Sequence, residues 1–354
     1  MRFCLVKRGQ KNCESRAFGE KALYLNIIIF DRRGKEHFGG CHIFKGYFVL
    51  IEYMDDNTKL FLEYKGLLFS IAYNMLGNID AAEDIVQDVF LKWMEAGAES
   101  VSNRKAFLVR MVTNASINQL SSARARREKY VGIWLPEPLE DGGAAALPAR
   151  IESYHALSIG LLVLLEKLSP QERAIFLLKE IFSYDYDELA EIFDRTTAHC
   201  RQIFKRAKEH LGKDTRRFQV DMKVHERILH NFLEAVSAGS MEGLIQLLKE
   251  DIHLFADGGG AVFALQQQRI TAFPKPIEGR ENIVRILLHL VPKFQESLPN
   301  FRQVTTLVNG MPALVVYSGD EPKSLVALEM DDRQIQNIYV QTNPDKLKHL
   351  KTGQ

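Results

Sequence analysis

The sequence predicts a multidomain protein, in which an all-α bundle and a helix-turn-helix precede a cone-shaped α+β domain. Apolar residues recur at helical spacing in several segments between residues 56 and 211. Strand-like runs follow one another after residue 300, namely FRQVTTLVN, PALVVYSG, SLVALEMD and QIQNIYVQT. A length of 354 residues is enough for about two or three such domains.

The composition indicates a globular chain, because 46% of the residues are hydrophobic and 26% are charged. The most apolar run, IGLLVLLEKL (159–168), is too short for a membrane helix. The four cysteines have no metal-ligand spacing and fit a reducing compartment. We therefore expect a cytoplasmic protein with no membrane segment, metal or cofactor. The net charge of +1 does not indicate a nucleic-acid partner, so charge has to be interpreted locally.

Residues 1–53 differ from the rest of the chain, since they hold three of the four cysteines and show no sustained periodicity. The character changes at Met54, after which helical spacing begins. We expect translation to begin at Met54 and residues 1–53 to be a non-native or disordered extension.

Residues 54–130 form the predicted bundle. Its most amphipathic segment, IDAAEDIVQDVFLKWMEAG (79–97), has an apolar stripe and a polar stripe. The apolar stripe consists of Ile85, Val89 and Trp93, and the polar stripe of Asp84, Gln87 and Asp88. The next long helix, residues 105–130, ends in a basic cluster formed by Arg124, Arg126 and Arg127.

Residues 131–150 are predicted to be a linker that begins with YVGIWLPEPL and continues into a Gly- and Ala-rich stretch. Pro136 and Pro138 restrict the backbone to extended conformations, which lowers the entropy lost on docking. Trp134 and Leu135 supply apolar surface whose exposure to water is unfavourable. The first half of the linker is therefore predicted to dock against another part of the chain.

Residues 151–212 are predicted to contain a helix-turn-helix with two capping boxes, Ser169 with Glu172 and Asp185 with Glu188. A break at Asp194 precedes the second helix, whose N-terminus suits phosphates. Side chains suited to base edges in the major groove follow, namely Arg201, Gln202, Lys205 and Arg206. Taken alone, the segment also fits a helical hairpin with a solvated basic face.

Residues 213–354 are predicted to form the α+β cone. Asp257, His253 and His289 are the acid–base residues available there, but the sequence does not place them in one set. DGGG at 257–260 predicts a tight turn with positive φ, and Pro344 stops the last strand. Simple turn chemistry is the alternative for both motifs.

Three segments in this order resemble the extracytoplasmic-function (ECF) class of the sigma-70 family. AEDIVQDVFLKW is similar to its core-polymerase-binding helix, and KAFLVRMVTNASINQL to its promoter-melting helix. LSPQERAIFLLKEIFSYDYDELAEIF resembles its promoter-binding helix-turn-helix. WLPEP, DGGG and NPDKL resemble the SigJ-like subgroup, which carries a C-terminal SnoaL-like (NTF2-like) extension. Ala261 stands where that subgroup usually has lysine.

The resemblance implies a sigma factor whose partners are core RNA polymerase and promoter DNA, and which catalyses no reaction itself. Asp84, Gln87 and Asp88 would bind the polymerase, although a merely solvated face is the alternative for these three. The downstream promoter element would contact Asn103, Arg104, Arg110, Asn114, Arg124, Arg126 and Arg127. The upstream element would contact Thr197, Arg201, Gln202, Lys205 and Arg206.

The resemblance also implies that the SnoaL-like domain adjusts activity in cis. The contacts for this would come from Trp134, Leu135, Pro136, Asp257, Gly258, Gly259, Gly260, Asn343, Pro344, Asp345, Lys346 and Leu347. A monomer is expected, and an unidentified small-molecule ligand of the cone is left open. Two other interpretations are a one-component helix-turn-helix regulator with a ligand-sensing cone, and a cyclase-type enzyme with a DNA-binding appendage. The regulator leaves the match over residues 79–94 and 105–129 unexplained, and the enzyme needs an acid–base pair in the cone that the sequence does not show.

Overall fold

The chain forms two compact units, Met1–Lys59 and Leu60–Gln354. In the first unit, strands β1 (Ile29–Phe30) and β2 (Glu36–His37) pair antiparallel. The predicted N-terminal extension otherwise lies outside the described residues. The computed structural model describes residues 29–30, 36–37, 56–96, 101, 103–127, 130, 132–140, 156–212, 221–259, 262–265, 268–271, 275–331 and 333–350.

Three helices form the bundle: α1 (Asp56–Leu76), α2 (Ile79–Ala96) and α3 (Arg104–Arg127). Their apolar stripes pack together because they recur every three or four residues. Trp93 is fully buried, and its ring centroid lies 6.1 Å from that of Phe107. The expectation that Trp93 belongs to the core is confirmed.

The helix-turn-helix domain contains four short helices: α4 (Ile159–Leu164), α5 (Pro170–Phe176), α6 (Tyr186–Phe193) and α7 (Thr197–Leu211). A 3₁₀ turn extends α4 through Lys167, and a π-type turn extends α5 through Ile181. Both predicted capping boxes are present. The predicted break is also present, since Asp194 adopts a left-handed φ of 52° and ends α6.

The cone begins with helices α8 (Met222–Ser237) and α9 (Met241–Leu247). It continues through strands β3 (Leu248–Asp257), β4 (Val262–Leu265), β5 (Gln268–Thr271) and β6 (Ile277–Glu278), and then helix α10 (Arg280–Ser297). Strands β7 (Phe301–Val308), β8 (Met311–Ser318), β9 (Glu321–Asp331) and β10 (Gln334–Gln341) follow, and α11 (Pro344–Leu347) comes last.

Six of these strands form one curved sheet in the order β6-β3-β10-β9-β8-β7. All neighbours pair antiparallel except β3 and β10, which are parallel. The four runs from FRQVTTLVN to QIQNIYVQT suit an antiparallel sheet, and β7 to β10 do pair antiparallel in sequence order. The parallel pairing of β3 with β10 was not predicted from the sequence. The sequence pattern after the Gly-Ser turn predicts a helix over 240–249, but α9 ends at Leu247 because the chain enters β3 at Leu248, whose side chain is buried under the sheet.

The two faces of the sheet have different neighbours. One face packs on α8, α9 and α10 through residues such as Phe232 and Ile283. The opposite face packs on Leu135 from the linker, Ile159 from α4, and Leu347 after the last strand. The second face therefore serves as a platform on which the linker and the helix-turn-helix domain rest.

Burial lowers the pKa of His225, on α8, from 6.5 to about 4. The folded chain therefore keeps this imidazole neutral, whereas the unfolded chain protonates it below about pH 6.5. We predict that the free energy of unfolding falls by up to roughly 3 kcal/mol as pH decreases from about 6.5 to 4, and that His225→Gln removes this part of the pH dependence. Urea unfolding across that pH range measures it.

His230→Gln is the matched control, because His230 is exposed on the same helix. It should leave the pH dependence unchanged. Equal pH dependence in the wild type and in His225→Gln would contradict the assignment.

Candidate functional site

An extended stretch of the linker, residues 132–140, lies between the bundle and the sheet, and we call it the strap. Five consecutive residues of the strap, Leu135 to Leu139, are buried. Pro136 and Pro138 hold this backbone extended, so that successive polar groups reach the two neighbours alternately. The strap is thus a buried structural element rather than a loose tether.

The buried carboxylate of Asp257, at the end of β3, is the centre of the contact between strap and cone. Its Oδ2 accepts hydrogen bonds from the backbone N–H of Leu135 at 2.8 Å and from Lys346 Nζ at 2.6 Å. Its Oδ1 accepts from the Tyr130 hydroxyl at 2.5 Å and from the Gly259 N–H at 3.0 Å. These donors, with the longer contact from Gln341 Nε2 at 3.5 Å, offset the cost of burying this charge.

Lys346, in α11, is the cation that faces Asp257, and only 8% of the residue is exposed. Its Nζ also donates to the Leu135 carbonyl at 2.6 Å. The ammonium lies 4.5 Å from the centre of the Trp134 ring and 5.1 Å from that of Tyr130, in cation–π geometry. One lysine thus joins the C-terminal segment, the strap and β3.

Gly259 allows Asn343 to approach this centre. Its φ is +64°, as the tight-turn interpretation of DGGG requires, and a Cβ there would lie 2.6 Å from the Asn343 side chain. Asn343 Nδ2 donates to the Tyr130 hydroxyl at 3.1 Å, and Asn343 Oδ1 caps α11 by accepting from the Asp345 N–H.

The structure brings most of the predicted regulatory residues together. Trp134, Leu135, Asp257, Gly259, Asn343 and Lys346 all contribute to this network. Pro136, Gly258 and Leu347 are buried beside it, whereas Pro344 and Asp345 are exposed. Gly260 and Ala261 lie outside the described residues.

Tyr130 was not predicted as a site residue from the sequence, although it opens the YVGIWLPEPL stretch. Burial, together with the hydrogen bond to Asp257, raises the pKa of its hydroxyl above the ordinary value of 10. The phenol therefore stays protonated and remains a donor to Asp257 at physiological pH.

On the bundle side, Glu137 binds the strap to the start of α2. Its Oε2 accepts from the Ile79 N–H at 2.8 Å and from Asn78 Nδ2 at 2.9 Å. The Glu137 N–H donates to the Gly77 carbonyl at 2.8 Å, and the Tyr73 hydroxyl to the Glu137 carbonyl at 2.7 Å. Glu137 was not predicted from the sequence. The available signal was its position, a carboxylate between two prolines in a segment expected to dock.

Asn309, in the β7–β8 turn, joins three parts of the chain. It adopts a left-handed φ of 54° and exchanges hydrogen bonds with Leu139 in the strap, at 2.8 and 3.0 Å. Its Nδ2 donates to the Tyr73 hydroxyl at 2.7 Å and to the Leu157 carbonyl at 2.9 Å. Asn309 was not identified from the sequence, because its partners are distant along the chain.

The helix-turn-helix domain is held on the bundle by Arg173, a fully buried residue in α5. Its Nε and Nη2 donate to the Asn74 carbonyl at 3.2 and 2.9 Å, and Nη1 pairs with Glu166. The Asn74 side-chain oxygen accepts from the Leu157 N–H at 3.2 Å. The last turn of α1 thus receives a guanidinium at its carbonyl end, which the helix dipole favours.

The three residues predicted to bind polymerase lie on the solvent side of α2. Asp84, Gln87 and Asp88 are all exposed, while Ile85 and Val89 on the other side are buried. The predicted separation of a polar and an apolar stripe on this helix is therefore present.

The residues predicted for the downstream element lie along α3 and at its start, where Asn103, Arg104, Arg110 and Asn114 are exposed. Asn103 caps the helix, since its Oδ1 accepts from the Ala106 N–H at 3.1 Å. Arg110 Nη2 lies 3.8 Å from Asp194 of the helix-turn-helix domain. Residues 124, 126 and 127 are helical, but their side chains lie outside the description.

The residues predicted for the upstream element lie on α7. Cys200, Ile203, Ala207 and Leu211 are buried against the domain. Thr197 is half-buried, and the exposed face carries Arg201, Gln202, Lys205 and Arg206. The guanidinium of Arg201 lies 5.1 Å from the centre of the Tyr186 ring, which orients it.

The acid–base candidates of the cone have separate partners. Asp257 is held by the donors described above, His253 Nε2 lies 4.0 Å from Glu278, and His289 contacts Lys293 Nζ at 2.9 Å. Within the described ranges, no group of three or more His, Cys, Asp or Glu side chains is arranged to bind a metal ion. None of the helices described there is long and apolar enough to cross a membrane.

Family models match both helical domains: sigma-70 region 2 matches residues 60–126, and sigma-70 region 4 matches residues 159–211. The ECF RNA polymerase sigma factor SigJ of Mycobacterium tuberculosis (strain ATCC 25618 / H37Rv) is 28% identical over 289 residues, 79% of this chain and 89% of its own. The probable ECF sigma factor SigI of the same strain is 26% identical over 294 residues, 81% and 93% of the two chains.

The crystal structure of M. tuberculosis SigJ resembles this chain with a TM-score of 0.64 and 24% identity, covering 84% of this chain and all of that one. The fold and the two matched regions define a transcription initiation factor of the sigma-70 type. In sequence and in fold the chain is similar to the ECF sigma factors, and most of all to the SigJ-like group with a C-terminal SnoaL-like domain. ECF sigma factors act with core RNA polymerase at promoter DNA, and the one-component regulator is not favoured.

Asp257→Asn should weaken the contact between strap and cone, because it leaves Lys346 buried without a counter-charge. We predict a loss of about 3–5 kcal/mol of stability, which is typical when one partner of a buried ion pair is removed. Urea unfolding measures the loss. The fluorescence of Trp134, one of two tryptophans in the chain, reports whether the strap remains docked.

Asp320→Asn is the control, because Asp320 is exposed in the β8–β9 turn and carries the same charge. It should change neither measurement. An unfolding midpoint for Asp257→Asn equal to that of the control would contradict the role given to the buried pair.

Proposed function

We propose that this chain directs promoter-specific transcription initiation by core RNA polymerase and that its SnoaL-like domain adjusts this activity in cis. The second part is supported by the buried Asp257–Lys346 pair. Both of its side chains hydrogen-bond the backbone of Leu135 and so hold the strap on the cone. In this proposal residues 54–130 act as region 2, 131–150 as the linker, 151–212 as region 4, and 213–354 as the regulatory domain.

Core polymerase is proposed to bind the exposed polar side of α2. Asp84 and Asp88 offer carboxylates, and Gln87 offers an amide. Carboxylates on a rigid helix accept charge-assisted hydrogen bonds from arginines of a partner. Because the opposite side of α2 is buried in the bundle core, these side chains are presented at fixed spacing.

The downstream promoter element is proposed to bind along α3. The exposed amide of Asn114 can hydrogen-bond the edge of a base that has left the stack. Arg104 and Arg110, together with the basic end of the helix at Arg124, Arg126 and Arg127, supply charges for phosphates. Asn103, at the start of α3, uses its oxygen for the cap and leaves its amide NH₂ for a DNA acceptor.

The upstream element is proposed to bind α7 in the major groove. Arg201 and Gln202 are exposed in the first half of this helix, as is usual for residues that read base edges. Lys205 and Arg206 lie one turn later and suit phosphates. Thr197 stands at the helix N-terminus, where backbone N–H groups also attract phosphate.

Regulation in cis is proposed to act through the position of the strap. The strap contacts the start of α2 through Glu137 and the sheet through Leu135 and Asn309. Releasing it from Asp257 and Lys346 would therefore remove one of the links between region 2 and the cone. The proposal rests on the docking of the strap and not on a ligand of the cone. The proposed form is a monomer that works in the cytoplasm.

Reconstitution with core polymerase tests the first part of the proposal. We predict that the full chain confers specific initiation on a promoter that core polymerase alone does not use. Asp84→Lys should weaken binding to core polymerase at least about tenfold, because it opposes a cationic partner with a like charge. Run-off transcription and core-binding affinity measure the two effects.

Glu226→Lys on α8 is the matched control, because it makes the same charge reversal at another exposed helix position. It should bind core polymerase as the wild type does. Promoter binding without core polymerase, and no stimulation of transcription, would support the one-component regulator instead.

Arg201→Ala tests the assignment of α7. We predict a loss of about 1–3 kcal/mol in promoter binding that is confined to one base position of the upstream element. Holoenzyme binding to promoters substituted at each position measures it. Arg227→Ala, on an exposed part of α8, should have no effect. A loss that is uniform over all sequences would assign Arg201 to a phosphate, and an unchanged footprint would remove it from the interface.

A further inference from the structure

The stripe on α2 that is proposed to bind polymerase extends one turn further toward the helix N-terminus than the sequence indicated. Asp80, Asp84, Gln87 and Leu91 recur every three or four residues, which places them on one side of the helix. All four are exposed, Leu91 by 55%. Asp80 therefore belongs to the same continuous surface, which we call the α2 stripe.

The N-terminal end of the α2 stripe is already occupied by the C-terminal segment of the chain. Lys348 Nζ lies 2.5 Å from Asp80 Oδ2, and His349 Nε2 lies 3.1 Å from Asp80 Oδ1. These residues directly follow α11, whose Lys346 is fixed at the Asp257 network. Docking of the cone thus delivers two basic side chains to the surface that is proposed to receive polymerase.

The strap completes this cluster from the opposite side. The buried Glu137 presents its Oε1 to His349 Nε2 at 3.3 Å, while its Oε2 caps the start of α2. His349 therefore faces two carboxylates, and Lys348 faces one. The hydrogen bond between Lys348 and Asp80 lowers the pKa of the Asp80 carboxyl and raises the pKa of the Lys348 ammonium. Both shifts have the direction expected when two opposite charges stabilise each other.

We propose that Lys348 and His349 are an intramolecular competitor of core RNA polymerase for the Asp80 end of the α2 stripe. This inference rests on the proposed function, because it assumes that polymerase binds the α2 stripe. Lys348 offers Asp80 the same cationic chemistry that a polymerase surface would offer the neighbouring carboxylates, and His349 contacts the second oxygen of Asp80. Polymerase must displace them to use the whole stripe.

The strength of this competition is small and depends on salt. Asp80 and Lys348 are half exposed, with side-chain exposures of 51% and 50%, and exposed ion pairs make modest contributions. Screening shortens the range of such pairs from about 8 Å at 0.15 M salt to about 3 Å at 1 M. The competitor therefore tunes polymerase affinity without blocking it.

The test measures the affinity of the full chain for core polymerase. Lys348→Gln/His349→Gln should bind about twofold to tenfold more tightly than the wild type at low salt, and the gain should shrink at high salt. In an Asp80→Asn background the same double substitution should give no gain, because the group competed for is absent. Lys223→Gln/His230→Gln on α8 removes the same side-chain types and is the matched control.

The proposal would be overturned if the Lys348→Gln/His349→Gln variant bound core polymerase at low salt with the affinity of the control. It would also be overturned if the double substitution gave the same gain in affinity in the Asp80→Asn background. In either case the proposed function stands as long as the wild type binds core polymerase and initiates at its promoter. Failure of the wild type to bind core polymerase would overturn both. Unchanged unfolding midpoints for Lys348→Gln and for the double variant verify that a changed affinity reflects the surface and not the fold.

Discussion

The arrangement of this sigma factor depends on one buried ion pair, Asp257 with Lys346. A carboxylate at the end of β3 is costly to bury and becomes acceptable only when several donors surround it. The chain provides them from four places: a tyrosine, the strap backbone, the glycine turn and α11. Because the donors come from segments far apart in the sequence, satisfying one charge fixes the course of the strap, the turn and the C-terminal segment together.

The strap transmits this arrangement to the helical domains. It is pinned to the cone by backbone hydrogen bonds at Leu135 and Leu139 and to the bundle by the side chain of Glu137. Prolines between these points keep the distance between them nearly constant. The helix that Glu137 caps is also the helix that presents Asp84 and Asp88, so the proposed regulatory contact and the proposed polymerase-binding surface share one rigid element.

Local pattern predicted much of this fold. The two capping boxes, the core position of Trp93 and the positive φ in the glycine turn follow from short-range rules and are present. Glu137, Arg173 and Asn309 were missed, because each acquires its role from partners about 60 to more than 200 residues away. The parallel pairing of β3 with β10 was missed for the same reason, since no local signal distinguishes it from antiparallel pairing.

The buried guanidinium of Arg173 bears on how easily the two DNA-binding domains separate. It bonds the Asn74 carbonyl, and Asn74 in turn bonds the backbone ahead of α4, so polar groups meet at this junction. Water can replace each of these hydrogen bonds when the domains move apart, and a freed arginine regains full hydration. The junction between regions 2 and 4 is therefore one whose exposed groups water can solvate, in contrast to an apolar interface of the same size.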